Sequence, residues 1–587
     1  MKLERLTNLL PSWKNAVLAG LAAVLLILAF PDFDLWFLAW FALVPLLFAI
    51  ERETERGHSC PHERGSVRND SPATESVRPS GSWGQECPRS FILGWIFGVV
   101  FFSGTCWWLT YAPITYAGFP PLLAYFLLLC VTSVAAIFPG MFAAITSIFR
   151  RRFGTWAFLL APIVWVFTEF LRYWLTGNNW NALGYSQAFN GRTISLAAYG
   201  GVLLMSFALV VPGAALLAIR DKWKLLRNNP ELVNTMDAMV WKEYGRVREK
   251  QKLSESFFDY LPHIILVFLF IALPIVLLVN YLLGVVPRNG RAEHHESVSN
   301  VVAVQPNVPA VMTPAKWDEY RRNHIRLAES ALATLSTEDR LPTTVIFPES
   351  PMNFAYEVDD ETRAYINAFA IKNNVSVLFN SAEPDVKTGK YYNSAVMVGP
   401  DGKEVAQYDK IYLLPFGEAV PFPFDGLLPG FVGNFSYGGE YDLFPLGDAK
   451  AGVMICFESH FGQLSREYVR NGADVIIEMT NDGYLGPTPV LRQHLANAVF
   501  RAVEMNRPVL RVTNVGITAY VTPSGQVLDA ADTYTEATRV WSVAKSDGSQ
   551  TFYVRYGDWF AWLCTIVTVV LLIFGIVRHK GPQAPAK

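Results

Sequence analysis

Charge is scarce in this chain. Lys, Arg, Asp and Glu supply 17% of its 587 residues, hydrophobic residues supply 51%, and mean hydropathy is +0.23. An ordinary soluble enzyme of this size carries more charge, so a membrane component is expected. Neither sign is in excess: 49 Lys and Arg face 51 Asp and Glu, a net charge of −2. With no broad basic surface, nucleic acid is not expected among the partners. Cysteine is rarer still. Of the six, Cys60 and Cys87 lie in a polar insert and Cys106, Cys130 and Cys564 in apolar runs, which leaves Cys456 alone in the large polar region. It has no neighbour there for an intramolecular disulfide, and a lone thiol is either a small buried hydrophobe or a reactive group.

Apolar sequence is what the chain has in quantity. Runs long enough to cross a bilayer occur near residues 16–30, 35–50, 91–110, 120–148, 155–173, 195–219, 261–283 and 559–577, the first two rather short. The first follows Lys2, Arg5 and Lys14 in the manner of a signal peptide. Its end, Leu28-Ala29-Phe30-Pro31, lacks a small-x-small cleavage pattern, so it is read as a retained anchor. Lys and Arg are held back on the cytoplasmic side during insertion. With the N-terminus inside, Arg150-Arg151-Arg152, a cluster within 220–252 and Arg578-His579-Lys580 all fall inside, whereas 31–34 and 111–119 contain no Lys or Arg.

The expected architecture is a polytopic α-helical membrane domain of eight transmembrane helices plus an extracytoplasmic α/β domain. Residues 1–284 would hold seven helices with polar cytoplasmic inserts at about 51–90 and 220–260, residues 285–558 the catalytic domain, and 559–587 the eighth helix and a tail. The first insert is rich in Ser, Arg, Glu, Pro and Gly and is expected to be a flexible loop; its His58, Cys60, His62 and Cys87 match no standard zinc spacing, and no metal is assigned. The second is mixed in charge and is expected to be partly helical at the membrane surface. In the outer region, strand-like runs at 301–304, 343–347, 375–379, 394–398, 452–455, 474–478, 509–513 and 518–521 alternate with helical patterns at 320–335, 361–372, 461–471 and 490–506. Several of the runs are apolar throughout, as strands buried on both faces are. Pro400-Asp401-Gly402 and Pro523-Ser524-Gly525 mark tight turns between antiparallel strands.

Three polar groups follow strand-like runs. Ala451-Gly452-Val453-Met454-Ile455 leads into Cys456-Phe457-Glu458-Ser459, and Thr343-Thr344-Val345-Ile346-Phe347-Pro348 leads to Glu349. The stretch Tyr408-Asp409-Lys410-Ile411-Tyr412-Leu413-Leu414-Pro415-Phe416-Gly417-Glu418 sets Lys410 and Glu418 in an apolar, proline-punctuated loop. Taken singly, Glu349 reads as a helix cap and Lys410 as a surface charge. Taken together they form a nucleophile set, because a thiol of pKa about 8.5 needs a base to remove its proton and a cation to favour the thiolate. Glu349 and Lys410 would supply these, and Lys410 with the backbone N–H of Phe457 could hold an oxyanion. The region also has His294, His295, His324, His460 and His494, none in a comparable strand-exit context. No cofactor is expected.

The order FPES, YDKIYLLPFGEAVPF, ICFES, TNDGYLG and RAVEMNRPVLRVTNVGIT resembles the nitrilase superfamily. PFGEAVPF, TNVGIT, QPNVPAVMTPAKWD and FYVRYGDW narrow the resemblance to the apolipoprotein N-acyltransferase family, over nearly the whole chain except the 51–90 insert and an enlarged 220–260 loop. The resemblance implies an αββα sandwich with Glu349 as general base and acid, Lys410 as cationic stabiliser and Cys456 as acylated nucleophile. It makes Glu418 the second active-site glutamate, Glu458 the acidic residue two past the cysteine, and Trp317 a tryptophan near the site. Phe457 stands where a tyrosine is common, and Tyr484 where a tryptophan often stands. Phe416 lies in an apolar loop against which an acyl chain could rest. The implied partners are a phospholipid acyl donor, a diacylglyceryl apolipoprotein acceptor and membrane lipid; the implied place is the bacterial inner membrane, with catalysis on the periplasmic side. Gly177-Asn178-Asn179-Trp180 and Gly184-Tyr185-Ser186-Gln187 resemble a further family stretch, whose polar groups could meet lipid headgroups or the outer domain, or simply satisfy their own loop. Two competing classes are a membrane-anchored nitrilase-type amidase and a transporter. Against the latter, ionisable residues sit mostly at span ends, with Glu169 and Arg172 the nearest exceptions.

Overall fold

The computed structural model describes residues 10–58, 86–177, 179–191, 193–228, 296–311, 314–335, 341–349, 354–420 and 434–577. Among them, four helices are long and apolar enough to cross a membrane: Pro88–Thr105, Pro121–Phe153, Ala157–Thr176 and Ile194–Asp221. Two shorter apolar helices, Trp13–Ala29 and Trp559–Phe574, pack with them. The run expected at 35–50 is instead a short 3-10 helix, Trp36–Trp40, followed by the Val44–His58 helix. That helix continues well into the stretch expected to be loop. Two of its carboxylates, Glu51 and Glu53, are buried by pairing: Asn15 Nδ2 donates to Glu53 at 2.6 Å, Arg220 donates to Glu51, and Arg150 reaches Asp221 beside it at 2.6 Å. Residues 59–85, which include Cys60 and His62, and the run at 261–283 lie outside the described residues. Asp221 is still helical, within Ala197–Asn228, so the second insert opens as a continuation of that helix.

The α/β part contains two six-stranded sheets. In the first, β1 (Ser297–Gln305), β2 (Thr343–Ile346) and β3 (Ser376–Asp385) run parallel, followed by antiparallel β4 (Lys390–Val398) and β5 (Glu404–Asp409). In the second, β7 (Ala449–Ile455), β8 (Val475–Thr480) and β9 (Val509–Thr513) are parallel, flanked by antiparallel β6 (Leu443–Leu446), β10 (Ala519–Val521) and β11 (Val527–Leu528). The last strand, β12 (Ala537–Ala544), returns to pair with β1 in the first sheet.

Side chains alternate across a strand, and β1 shows what that does here. Val301 and Ala303 join the core shared with the second sheet, among them Val453 and Ile455, while Val302 and Val304 pack under the Trp317–Leu332 and Asp360–Asn373 helices with Leu327, Ala328, Ile366 and Phe369. A strand covered on both faces has no polar side, which is why the run is apolar throughout. The two proline–glycine turns connect β4 to β5 and β10 to β11, as antiparallel hairpins.

The α/β domain rests on one end of the helix bundle, away from the Glu51–Arg150–Arg220 cluster. Its Val490–Met505 helix meets three membrane loops at once. Gln493 Nε2 donates to the carbonyls of Pro31 and Thr105, and Gln493 Oε1 accepts from the indoles of Trp108 and Trp180. Arg492 pairs with Asp34. The 177–187 stretch therefore meets the α/β domain: the Asn179 amide donates to His460 Nε2 at 2.7 Å. Arg172 holds the same loop, donating to Trp180 O at 3.0 Å and Asn179 Oδ1 at 3.2 Å, and Glu169 accepts from the Leu183 amide at 2.8 Å. These two intramembrane charges serve the loop's own structure.

Candidate active site

Parallel strands deliver the groups that follow them to one edge of a sheet. Glu349 stands three residues beyond β2, Lys410 directly follows β5, and Cys456 directly follows β7. Lys410 is 1% exposed and Glu349 6%. The ammonium lies 2.8 Å from Glu418 Oε1 and 3.4 Å from Glu349 Oε1. Asn393 of β4 spans the same two carboxylates, its Nδ2 donating to Glu418 Oε1 at 2.6 Å and to Glu349 Oε1 at 3.0 Å. The second oxygen of Glu349 accepts from the Asn481 amide at 3.1 Å, and the second oxygen of Glu418 from the Leu414 amide at 2.7 Å. One cation, one amide and two carboxylates thus form a closed, largely buried network, the condition under which charges are tolerated away from water. Burial alone would lower the Lys410 pKa; Glu418 and then Glu349 more than reverse this and hold it above its ordinary value.

Lys410 is also fixed through its backbone. Its N–H donates to Asn393 O at 2.9 Å, and its carbonyl accepts from Gly438 at 2.9 Å. A Cβ at position 438 would sit 1.9 Å from Asp409 O, so only glycine permits this crossing.

Cys456 opens a 3-10 turn, Cys456–His460, and has a left-handed φ of +53°, an unfavourable conformation for a residue with a side chain. The turn leaves its first amides without internal partners. Burial pushes the thiol pKa well above its ordinary value; Glu349 adds to this, Lys410 opposes it, and Asp482 adds again. The sulfur therefore lies within electrostatic reach of both Glu349 and Lys410.

Glu458 supports the site from beneath. Its Oε1 accepts from Tyr408 OH at 2.7 Å, the Ile411 amide at 2.8 Å and the Tyr412 amide at 3.0 Å, while Oε2 accepts from the Ile455 amide at 2.9 Å. It ties the loop after Lys410 to the strand before Cys456. Burial raises its pKa to about 7, against Lys410 and the amides, which lower it. Glu458→Gln turns an amide NH₂ toward N–H groups, and an expected loss of about 2–4 kcal/mol should appear as a lowered thermal midpoint in detergent.

The other expected site residues divide. Phe457 is buried and faces inward, stacking on His460 with centroids 5.7 Å apart and meeting Phe461 edge-on at 5.3 Å. Trp317 begins its helix half-buried, and no hydrogen bond or ring contact among the described residues joins it to the Glu349–Lys410 network. Tyr484 is 48% exposed, within electrostatic reach of Glu349 and Cys456, and 6.4 Å from the ring of Tyr116 in the membrane part. Phe416 is 53% exposed at a tight turn with φ +62°, its amide donating to Ala419 O. Sequence reasoning did not single out Asn393, Asn481, Tyr111 or Tyr116. Tyr116 OH donates to Gly483 O at 3.1 Å, and a Cβ at Gly486 would strike the Tyr111 ring, so the 111–119 loop lies against the turn that carries Tyr484.

A Glu–Lys network and a strand-exit thiol thus share one edge of a two-sheet α/β domain seated on apolar helices. Residues 329–551 match the carbon-nitrogen hydrolase family, and residues 22–60 and 82–215 match the apolipoprotein N-acyltransferase N-terminal domain. The chain belongs to the apolipoprotein N-acyltransferase family. It is 27% identical to the apolipoprotein N-acyltransferase of Geobacter metallireducens over 97% of this chain and 96% of that one. Against the Pasteurella multocida protein of the same name identity is 23%, with 96% of each chain covered, and against the Thermotoga maritima one 33%, covering 48% of this chain and 52% of the other. Among solved structures, Saccharomyces cerevisiae Nit3, of the nitrilase superfamily, aligns with a TM-score of 0.34 at 17% identity, over 43% of this chain and 93% of its own.

Proposed function

We propose that this chain takes an acyl group from a phospholipid onto Cys456 as a thioester and passes it to the N-terminal α-amine of a diacylglyceryl-cysteine on an apolipoprotein. Lipoprotein N-acylation follows from the family; the route through the Glu349, Lys410 and Cys456 side chains is our inference. The observation that carries it is the closed Glu349–Lys410–Glu418–Asn393 network within reach of the Cys456 sulfur.

In the first half, Glu349 takes the thiol proton as the sulfur attacks the ester carbonyl. Lys410 and the Phe457 amide face the oxyanion that forms. Collapse expels the lyso-lipid alkoxide, which recovers the proton from Glu349, and a thioester remains. In the second half, the neutral α-amine attacks the thioester, Glu349 accepts its proton, and the departing thiolate takes that proton back. Asn393 keeps Glu349 aimed while its charge changes.

The same reading includes eight spans, seven within 1–284 and one within 559–587, with 285–558 on the periplasmic side of the bacterial inner membrane. Supporting it, Arg150 and Arg220 lie at the bundle end away from the α/β domain, and cations are retained in the cytoplasm.

Purified protein incubated with acyl-labelled phospholipid should acquire a hydroxylamine-labile label that is absent in Cys456→Ser and is chased by a diacylated lipopeptide. Label passing only to free fatty acid would instead make the chain an amidase-type hydrolase.

A further inference from the structure

Behind Cys456 lies a second buried ionic group that the reaction above does not use. It joins Glu478 of β8, Asp482 of the turn after it, His494 of the Val490–Met505 helix and Arg511 of β9, each 3% exposed or less. Arg511 pairs with Glu478 at 2.5 Å and with Asp482 at 2.8 Å, so both carboxylates are ionised. His494 Nδ1 lies 2.7 Å from Asp482 Oδ1; Nε2 lies 3.1 Å from the carbonyl oxygen of Cys456 and 3.2 Å from Glu478 Oε1. Every one of these neighbours is an acceptor. A neutral imidazole has one N–H and leaves its other nitrogen facing oxygen lone pairs, whereas an imidazolium donates from both.

We propose that His494 is a positioning residue, an imidazolium at neutral pH that holds the Cys456 carbonyl and so keeps the nucleophile in its left-handed backbone conformation. The proposal rests on the assignment of Cys456 as the acylated residue. Two features strengthen it. Asp482 adjoins Asn481, whose amide binds Glu349, so one ring secures the backbone at the nucleophile and the loop against the base. His494 also follows Gln493, which is locked to three membrane loops, so the ring is held from both sides.

The surroundings agree from every packed element. Glu478 and Asp482 present negative charge and Arg511 positive, and the Trp180 ring lies 5.8 Å away. The neighbouring His460 accepts a backbone N–H on Nε2 and is held neutral, so no second imidazolium opposes the first. Burial lowers the His494 pKa, but Asp482 and Glu478 outweigh it and Arg511, bringing it to about 9. A histidine raised in the folded state stabilises fully below its unfolded value of 6.5 and loses that contribution as pH rises through about 9.

The test combines charge and rate. With ¹³C-labelled histidine, the resonance lost in His494→Gln should report imidazolium from pH 6 to 8; a neutral ring at pH 7 overturns the proposal. In single turnover with acyl-labelled phospholipid, wild-type labelling of Cys456 should fall above about pH 9, against the rise that thiol ionisation alone gives. His494→Gln should be about 10–100-fold slower and show no fall across that range, as for a misplaced reacting group. Should His494→Gln fail to fold, Asp482→Asn should move the alkaline fall at least tenfold lower in hydroxide concentration; an unmoved limb overturns the proposal. If wild type takes no label at all, the acylation of Cys456 fails, and the ¹³C spectrum still decides the charge on the ring.

Discussion

Lys410→Met should slow acylation of Cys456 by at least about 10³-fold and lower the stability of the α/β domain as well. The ammonium is the single cation between Glu418 at 2.8 Å and Glu349 at 3.4 Å in the described network, with Lys410 and Glu349 buried and Glu418 mostly so. Methionine keeps much of the volume and leaves two carboxylates facing each other across Asn393. Removing one partner of a buried ion pair costs about 3–5 kcal/mol, and loss of an oxyanion donor costs about 10²–10³ in rate. Lys410 also favours the thiolate, so its removal raises the Cys456 pKa further. Iodoacetamide alkylation of Cys456 should therefore slow together with acyl transfer, and the thermal midpoint should drop. A variant with normal alkylation and normal acylation would remove Lys410 from the mechanism.

Glu349→Gln should separate these two readouts. The amide keeps the shape and an acceptor for the Asn481 N–H, yet it cannot take a proton, so acylation in single turnover should fall about 10²–10⁴-fold. The Glu349 charge, however, raises the Cys456 pKa, and its loss should lower it. Alkylation at neutral pH should then speed up while acylation nearly stops. A structural glutamate would move both rates the same way.

Much of the site was legible because parallel strands buried on both faces write themselves as apolar runs. Thr343–Ile346 and Ala449–Ile455 are such strands, and each points to the polar group at its exit, Glu349 and Cys456. Lys410 was found by its odd place in an apolar loop, but the strand before it was not: Glu404–Asp409 is a sheet edge, mostly half-buried or exposed, and reads as a polar connection. The edge strand Ala537–Ala544 escaped for the same reason, and Leu443–Leu446 because it is four residues long and holds a proline, which belongs to edge strands and demotes a run. Asn393 and His494 gave no local sign, since nothing in Tyr391-Tyr392-Asn393-Ser394 or Arg492-Gln493-His494 tells which side chain turns toward a group far off in the chain. The left-handed backbone at Phe416 and Cys456 was equally invisible, because neither is a glycine or asparagine. The loop at 177–187 offered polar groups with three possible partners, and only packing chose among them.

The clasp around Gln493 bears on what becomes of the α/β part if it is cut free. Val490, Leu491, Cys106 and Trp108 share one apolar cluster across the junction, with the glutamine amide at its centre fully paired to the helices' loops. Severed near residue 296, the domain would present that cluster to solvent as a greasy underside with a polar notch, and it should self-associate instead of behaving as a free-standing hydrolase. The bundle is thus the missing half of the domain's own surface.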